Sequence, residues 1–186
     1  MQNRIQVKIS DGTYIFVVIL LFMVPVRWLL AILLAIAVHE LSHFLAVRVL
    51  GGKVYLVTID VYGIKMVADS LSDTKKVFAI LSGPIFGFLP TFIGALFPEL
   101  ALCCWMLTIY NLLPFSGLDG GNILRIIIKN DSIIRWIERI MILIFLFFAI
   151  YCSFILRLGV FPCAMVACLY LRSVKKPCQE SICKVQ

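Results

Sequence analysis

Residues 28–50 have the sequence WLLAILLAIAVHELSHFLAVRVL, in which two histidines and a glutamate stand inside a mostly apolar run. The apolar block extends back to Tyr14 and covers 37 residues in all. As one helix it would measure roughly 55 Å at ~1.5 Å per residue, nearly twice a ~30 Å hydrocarbon core. It must therefore fold back, and Pro25-Val26-Arg27-Trp28 supplies a helix breaker, a charge and an interfacial aromatic. The sequence predicts two membrane spans, at residues 14–26 and 28–50.

The same arrangement recurs twice further along the chain. Residues 77–114 are broken at Pro98-Glu99, and residues 140–171 are broken around Arg157. Four further spans are predicted, at residues 77–97, 100–124, 138–156 and 158–171. The segment 53–67, between the second and third spans, is rich in β-branched and aromatic residues, which predicts a short β-hairpin. The expected fold is an all-α polytopic membrane protein with six transmembrane helices and one domain over residues 1–186, without a PDZ or CBS domain.

The composition supports a membrane protein. Of the 186 residues, 62% are apolar and 15% are charged, and the mean hydropathy is +1.06, whereas soluble domains are ~45–50% apolar. The net charge of +7 could suggest nucleic-acid binding. The basic residues lie, however, in short stretches between apolar blocks, where membrane topology accounts for them. We therefore expect the lipid bilayer, and no nucleic acid, as a partner.

The basic residues are distributed unevenly over the six-span layout. With both termini on one side of the membrane, 15 of the 17 lysines and arginines lie on that side, and only Arg27 and Arg157 lie on the other. Because cytoplasmic loops carry the excess of positive charge, both termini are expected in the cytoplasm. Arg4 and Lys8 ahead of an apolar stretch also resemble a signal peptide, but no small-x-small cleavage site precedes Arg27.

The seven cysteines are not expected to carry chemistry. Five of them lie inside apolar segments, where cysteine commonly serves as a small buried hydrophobe. Cys178 and Cys183 lie among lysines, and a cytosolic location would keep them reduced. The predicted hairpin has two possible roles, a plain amphipathic surface ribbon or an edge to which a substrate segment adds as a strand.

The motif His39-Glu40-Leu41-Ser42-His43 contains both histidines of the chain. Helix positions i and i+4 lie one turn apart on one face, so both imidazoles can reach one ion, and zinc suits such ligands. Glu40 projects beside the metal, where it can take a proton from the water that zinc activates. The structural alternative is a pair of packing histidines with a buried glutamate, but an ionisable group inside a membrane span is costly and normally marks function.

A catalytic zinc with two histidine ligands needs a third protein ligand and an open position for water. Of the ten acidic residues, only Glu40 and Asp119 lie within membrane blocks and away from obvious interfaces. Asp119 stands in residues 111–121, where a proline and three glycines interrupt the span, and non-helical backbone at such depth implies a protein-lined or wet cavity. We predict one Zn²⁺ per chain, held by His39, His43 and Asp119, with Glu40 as the catalytic base. The alternative for Asp119 is an exposed loop residue.

Three motifs together resemble the site-2 proteases, which are intramembrane zinc metalloproteases: the HExxH helix, the Asn-Leu-Leu-Pro and Leu-Asp-Gly-Gly sequences within residues 111–121, and Ser82-Gly83-Pro84. The layout without a PDZ insertion resembles more narrowly the group of stage IV sporulation protein FB, which releases the sigma-K factor from a membrane-tethered precursor. The resemblance implies the same zinc ligands and base. It further implies that Asn111, Pro114 and Gly120 bind substrate and that Gly83-Pro84 shapes the third span near the site.

The resemblance implies a zinc-dependent endopeptidase that cleaves membrane-tethered proteins near the cytoplasmic face in regulated intramembrane proteolysis. A sigma-factor precursor, an anti-sigma factor, a signal-peptide remnant and a peptide pheromone precursor all fit as substrates, and inhibitory or regulatory membrane proteins are further expected partners. The expected location is a bacterial cytoplasmic membrane, or the mother-cell-derived membrane around a forespore. The chain departs from the sporulation group in lacking its usual CBS module, and Ser82 stands where the family commonly has alanine.

Two other functions are compatible with a histidine pair in a membrane helix. A non-catalytic protein could bind zinc structurally or transport a metal ion, but transport predicts coordinating residues along a path, and this chain concentrates them at one site. A protease-derived binding protein without activity is the other alternative, and the intact Glu40 argues against it.

Overall fold

The structure is a computed structural model that describes residues 5–60, 63–69, 71–154, 163, 166–167 and 170. The strands are β1 (Gln6–Ile9), β2 (Val54–Asp60) and β3 (Gly63–Ala68). The helices are α1 (Asp11–Met23), α2 (Val26–Val49), α3 (Asp73–Phe88), α4 (Pro98–Leu112), α5 (Asp119–Ile128) and α6 (Asp131–Phe154), and a short 3-10 helix, Leu89–Ile93, follows α3. The described residues up to Asn111 form one compact unit and those from Leu112 onward form a second. The single domain expected over residues 1–186 stays a prediction.

The first helix hairpin turns at the proline that the sequence predicts. α1 ends at Met23 and α2 begins at Val26, with Pro25 between them in an extended conformation. Proline has no backbone N–H to donate and disfavours the helical conformation of the residue before it, so Pro25 separates the two elements. α1 has 13 residues and is ~20 Å long. The helix begins at Asp11 and stops before Pro25, so its ends differ from those of the predicted first span, 14–26, whose bounds in a membrane stay a prediction.

The predicted hairpin is present but belongs to a larger sheet. β2 and β3 are antiparallel, with Thr58 opposite Lys65, and β1 adds to β2 in parallel, with Val7 opposite Val57. The sheet order is β1-β2-β3. The fold class is thus helical with a three-stranded sheet, not a hairpin alone. β1 was not predicted because it has only four residues, all of them exposed, and an alternation of polar and apolar residues this short is a weak signal.

The predicted fourth span, residues 100–124, consists of two helices, with a break in the segment 111–121 where the proline and glycines were expected to interrupt it. α4 ends at Leu112 and α5 begins at Asp119. Between them Pro114 cannot donate a helix hydrogen bond, and Gly117 has a φ of 86°, in the left-handed region that favours glycine. The proline and the glycines thus end one helix and start another.

The last described helix is longer than expected at its amino end. α6 begins at Asp131, seven residues before the predicted start of the fifth span at 138. Asn130 sets this start, because its Oδ1 accepts a 3.0 Å hydrogen bond from the backbone N–H of Ser132. The predicted sixth span, 158–171, lies largely outside the described residues, as do Cys178 and Cys183.

Two of the described helical segments are long and apolar enough to cross a membrane, Val26–Val49 and Asp73–Ile93. Of the six predicted spans, these two are supported by the length and composition of the described helices. Large apolar side chains are nevertheless exposed on several helices, including Phe22 on α1 (86% exposed) and Phe154 on α6 (81% exposed). Contiguous apolar surface of this kind is unusual on a protein that faces water, so it favours helices that contact lipid.

Candidate metal centre

His39 and His43 lie one turn apart on α2, and their side chains meet. The ring centroids are 4.8 Å apart with the ring planes at 86°, and the two Nε2 atoms are 3.2 Å apart. His39 is buried, with 3% of its surface exposed, and His43 is partly buried. The structure therefore brings the two predicted ligand nitrogens to one place inside the first unit.

The orientation of His43 is set by helix α3. Nδ1 of His43 lies 2.9 Å from the backbone carbonyl oxygen of Ala79. Because a carbonyl oxygen can only accept, Nδ1 carries the proton, and Nε2 of the neutral ring keeps its lone pair. Metal-binding histidines usually have such a partner on the second ring nitrogen, which fixes the tautomer and the ring plane. The contact thus prepares Nε2 of His43 to bind a metal.

Helix α3 comes close to the imidazoles because it presents glycines to them. A Cβ at Gly83 would overlap the imidazole of His43, and a Cβ at Gly87 would lie 3.2 Å from Nδ1 of His39. Small residues four positions apart allow the backbones of membrane helices to approach closely. Gly83 was expected to shape the third span near the site, and its place against the His43 ring gives that expectation a physical reason.

Ser82 lies in the same helix contact. Its Oγ is 3.1 Å from the carbonyl oxygen of Ser42 on α2 and 2.7 Å from that of Ala79 on α3. The residue is buried, with 6% exposed. Shared between the two carbonyls, the single hydroxyl proton links the two helices beside the histidines, an interaction that an alanine at this position could not make.

The histidine geometry fits zinc. Two nitrogens bound at ~2.0–2.1 Å to one tetrahedral ion are about 3.3 Å apart. The 3.2 Å between the Nε2 atoms of His39 and His43 agrees with that separation. The donors are imidazoles, which zinc binds well. The pair can thus hold one zinc ion without a change of backbone.

Glu40 stands next to the histidines on the same helix. As the residue after His39, it is rotated about 100° around the axis of α2, and its side chain is half-buried. The rotation keeps the carboxylate off the face that the two imidazoles share. Glu40 is thus placed beside the histidine face, as its predicted role as a base requires.

An apolar cavity of about 430 Å³ borders another part of α2. Its lining includes Ile32, Ala35 and Ile36 from α2, and Met106 and Leu107 from α4. The lining also includes Cys103 and Tyr110 but neither a histidine nor a carboxylate. The cavity is therefore suited mainly to apolar groups, and the two histidines of α2 do not line it.

Asp119, the predicted third ligand, lies in the second unit as the first residue of α5. The preceding residue, Leu118, is extended, with φ −106° and ψ 162°. The side chain of Asp119 is half-buried. A carboxylate in the first turn of a helix interacts favourably with the helix dipole.

The loop before Asp119 is packed as tightly as a core. Phe115, Ser116 and Leu118 are each at most 4% exposed. A Cβ at Gly121 would overlap the carbonyl of Phe115, so the first turn of α5 rests directly on the loop backbone. The loop therefore positions the start of α5 through backbone contacts that only glycine permits.

Comparison with solved structures identifies the fold. The chain is similar to the "Site-2 Protease from Methanocaldococcus jannaschii" with a TM-score of 0.67, over 97% of this chain and 93% of that chain. The fold is that of a site-2 protease. The sequence identity is 18%, so the similarity concerns the fold alone. No protein-family model and no curated protein matches the chain, and the narrower resemblance to the sporulation group is not supported.

The three residues predicted to bind substrate lie at the end of α4, in the loop that follows and at the start of α5. Asn111 donates a 3.1 Å hydrogen bond to the carbonyl of Leu107, one turn back on α4. Pro114 lies in the loop, and a Cβ at Gly120 would overlap the carbonyl of Leu112. Close packing against Leu112 thus explains why position 120 is a glycine. The binding of substrate by these residues stays a prediction.

One functional candidate was missed by the sequence analysis. Glu138, one of the eight acidic residues that the sequence did not single out, is 6% exposed on α6. Its Oε1 accepts a 2.8 Å hydrogen bond from the backbone N–H of Ser116 and a second, short one from Ser116 Oγ. The local sequence carries little signal, because Glu138 stands beside Arg139 in a stretch that carries several charges, and its partner Ser116 lies 22 positions earlier in the chain.

Proposed function

We propose that this chain is a zinc-dependent intramembrane endopeptidase of the site-2 type. The observation that carries the proposal is the convergence of the Nε2 atoms of His39 and His43, 3.2 Å apart, on an apolar helix that also carries Glu40. The fold similarity to a site-2 protease supports the same activity. The exposed apolar side chains of the helices support a membrane location.

We assign the metal to His39, His43 and Asp119. Each of these residues offers one ligand atom, and two imidazoles with one carboxylate leave a tetrahedral position open for water. When bound, zinc would lower the pKa of such a water to about 7 and polarise the scissile carbonyl. The remaining chemistry falls to side chains of this protein.

Glu40 is the general base and then the general acid. Its carboxylate takes a proton from the attacking water, whose oxygen forms a bond to the carbonyl carbon of the scissile peptide. The proton then passes from Glu40 to the amide nitrogen as the carbon–nitrogen bond breaks. One water is consumed, and a carboxyl and an amine are released.

The substrate segment is proposed to be extended where it is cut. In the described part of the chain β3 pairs only with β2, so the outer edge of β3 can accept a further strand. Asn111 and the loop at Pro114 are proposed to hold substrate backbone nearer the metal. The apolar cavity on α2 is not needed for this arrangement.

The proposed substrates are membrane-tethered proteins cut near the cytoplasmic face, with both termini of the protease in the cytoplasm of a bacterial cell. A sporulation sigma-factor precursor is one candidate, and it is supported only by the sequence resemblance. The Glu40→Gln variant, used as a trap in cells, would capture the natural substrate for identification by mass spectrometry.

The function is tested by changing Glu40 to Gln in detergent-purified protein. Glutamine cannot accept the proton, so cleavage of a membrane-tethered test substrate should fall ~10²–10⁴-fold. Zinc content should stay at one per chain, because Glu40 is not a ligand. Glu99→Gln is the matched control, since Glu99 pairs with the exposed Arg27 at 2.7 Å and should not affect either measurement.

Two results would contradict the proposal. Cleavage that persists in Glu40→Gln protein would remove the mechanism. Zinc binding that is unaffected in Asp119→Asn protein, together with no cleavage by the wild-type protein, would favour the alternative of a non-catalytic zinc-binding or metal-transporting protein.

A further inference from the structure

Glu138 is the buried acidic residue of the second unit that the proposed chemistry does not use. It is 6% exposed on α6, and Ser116, which it contacts, is 4% exposed. Oε1 of Glu138 accepts hydrogen bonds from both the backbone N–H and the hydroxyl of Ser116. A carboxylate removed from water is costly unless such partners satisfy it. The hydrogen bonds from Ser116 offset this cost, and they hold the loop at Ser116 against α6.

The Ser116 hydroxyl connects Glu138 to a positive charge. Nη2 of Arg125, on α5, donates to Ser116 Oγ at 2.5 Å. Since the hydroxyl accepts from Arg125, its own proton is directed to Glu138. The three groups form a chain of hydrogen bonds that runs from a cation to an anion, and such charge-assisted bonds are the strong ones.

This chain of hydrogen bonds contacts the polypeptide both before and after Asp119. Ser116 lies three residues before Asp119, in the loop, and Arg125 lies six residues after it, on α5. The first turn of α5 also rests on the loop, since a Cβ at Gly121 would overlap the carbonyl of Phe115. A displacement of Ser116 therefore moves the backbone that carries Asp119.

We propose that Glu138 is a positioning residue that sets the orientation of the Asp119 carboxylate through Ser116 and Arg125. The inference rests on the proposed function, because it assumes that Asp119 is a metal ligand. Glu138 itself touches neither metal nor substrate in this scheme. The negative charge of Glu138 is required, because the chain of hydrogen bonds begins at the cation of Arg125 and needs an anion at its other end.

The test is the Glu138→Gln variant of the full chain in detergent, loaded with Co²⁺ as a spectroscopic probe. Glutamine keeps an oxygen that can accept from Ser116 but removes the charge. We expect the visible Co²⁺ spectrum to change and the Zn²⁺ affinity, measured by chelator competition, to fall about 10–100-fold, as for other residues that orient metal ligands. Ser116→Ala keeps the backbone hydrogen bond to Glu138 and should therefore lower the Zn²⁺ affinity less than Glu138→Gln does.

Asp131→Asn is the matched control, since it makes the same chemical change at an exposed position on the same helix. A purely structural role for Glu138 would lower the folded fraction but leave the Co²⁺ spectrum of the folded protein unchanged. A Glu138→Gln spectrum and affinity equal to those of wild-type protein would overturn the inference.

The same experiment separates this inference from the proposed function. Asp119→Asn is measured beside Glu138→Gln. If Asp119→Asn leaves metal binding intact, the assignment of the ligands fails, and the inference fails with it. If Asp119→Asn weakens metal binding and Glu138→Gln does not, the ligands stand and only the positioning role is lost.

Discussion

At the scale of single residues, the histidine site depends on what is missing from α3. A Cβ at Gly83 would overlap the ring of His43, whereas a Cβ at Gly87 would lie 3.2 Å from Nδ1 of His39 and 3.4 Å from Oγ1 of Thr108. Overpacking of this kind typically costs ~1–3 kcal/mol. We expect Gly83→Ala to displace the His43 ring and lower both zinc affinity and cleavage at least tenfold, by analogy with the ~10–100-fold effect of disturbing ligand orientation. Gly87→Ala should lower zinc affinity and cleavage less, because its Cβ would approach His39 without overlapping it.

Chelator competition on the purified variants measures this difference. Ile85→Ala is the control, because Ile85 lies between the two glycines in sequence and is 58% exposed. Equal zinc affinities for Gly83→Ala and wild-type protein would show that the imidazole has room to move, and that the close approach of α3 does not position His43.

At the scale of elements, the hairpin is tied together at its open end by a side-chain pair. Tyr55 on β2 donates a hydrogen bond to Oδ1 of Asp69, just after β3, and this bond raises the pKa of Tyr55 above its usual 10.0. Because the folded-state pKa is the higher one, the bond stabilises the hairpin below about pH 10 and is lost as the pH rises through the raised value. The phenolate absorbance is titrated in the wild-type and Tyr55→Phe proteins. Their difference should show one tyrosine with a pKa above the usual 10.0. Asp69→Asn should lower its pKa, whereas Asp60→Asn, also an acid-to-amide change in the sheet, should not.

The elements also show why sequence predicts some features and not others. The HExxH pair, the break at Pro25 and the β2–β3 hairpin depend on neighbours within a few residues, and local patterns predict them. β1 is an element only because it pairs with β2, with Val7 opposite Val57, about 50 positions away. Glu138 likewise acquires its role from Ser116, 22 positions earlier. Such contacts join residues that are far apart in the chain. A pattern among neighbouring residues of a single sequence cannot reveal them.

At the scale of the whole chain, the sheet constrains the membrane topology of the first unit. β1 pairs with β2, so residues before α1 lie beside the hairpin that follows α2. If α2 crosses the bilayer, the chain at Arg27 lies on the opposite side from the hairpin, and α1 must cross as well. α1 is ~20 Å long, shorter than the ~30 Å core, so the bilayer is expected to thin locally or the flanking residues to reach the interface.

This topology predicts which positions react from each side of a membrane. In protein whose natural cysteines are changed to serine, single cysteines at Lys8 and Lys65, on β1 and β3, should both be labelled by an impermeant thiol reagent from the same side. A cysteine at Arg27, which is 82% exposed, should be labelled from the other side. Basic residues cluster around the hairpin at Arg48, Lys53, Lys65, Lys75 and Lys76, so that side should be the cytoplasmic one, accessible only in inverted vesicles. Labelling of Lys8→Cys and Lys65→Cys from opposite sides would show that α1 does not cross. Their joint labelling from outside intact cells would reverse the orientation and move the proposed cleavage away from the cytoplasmic face.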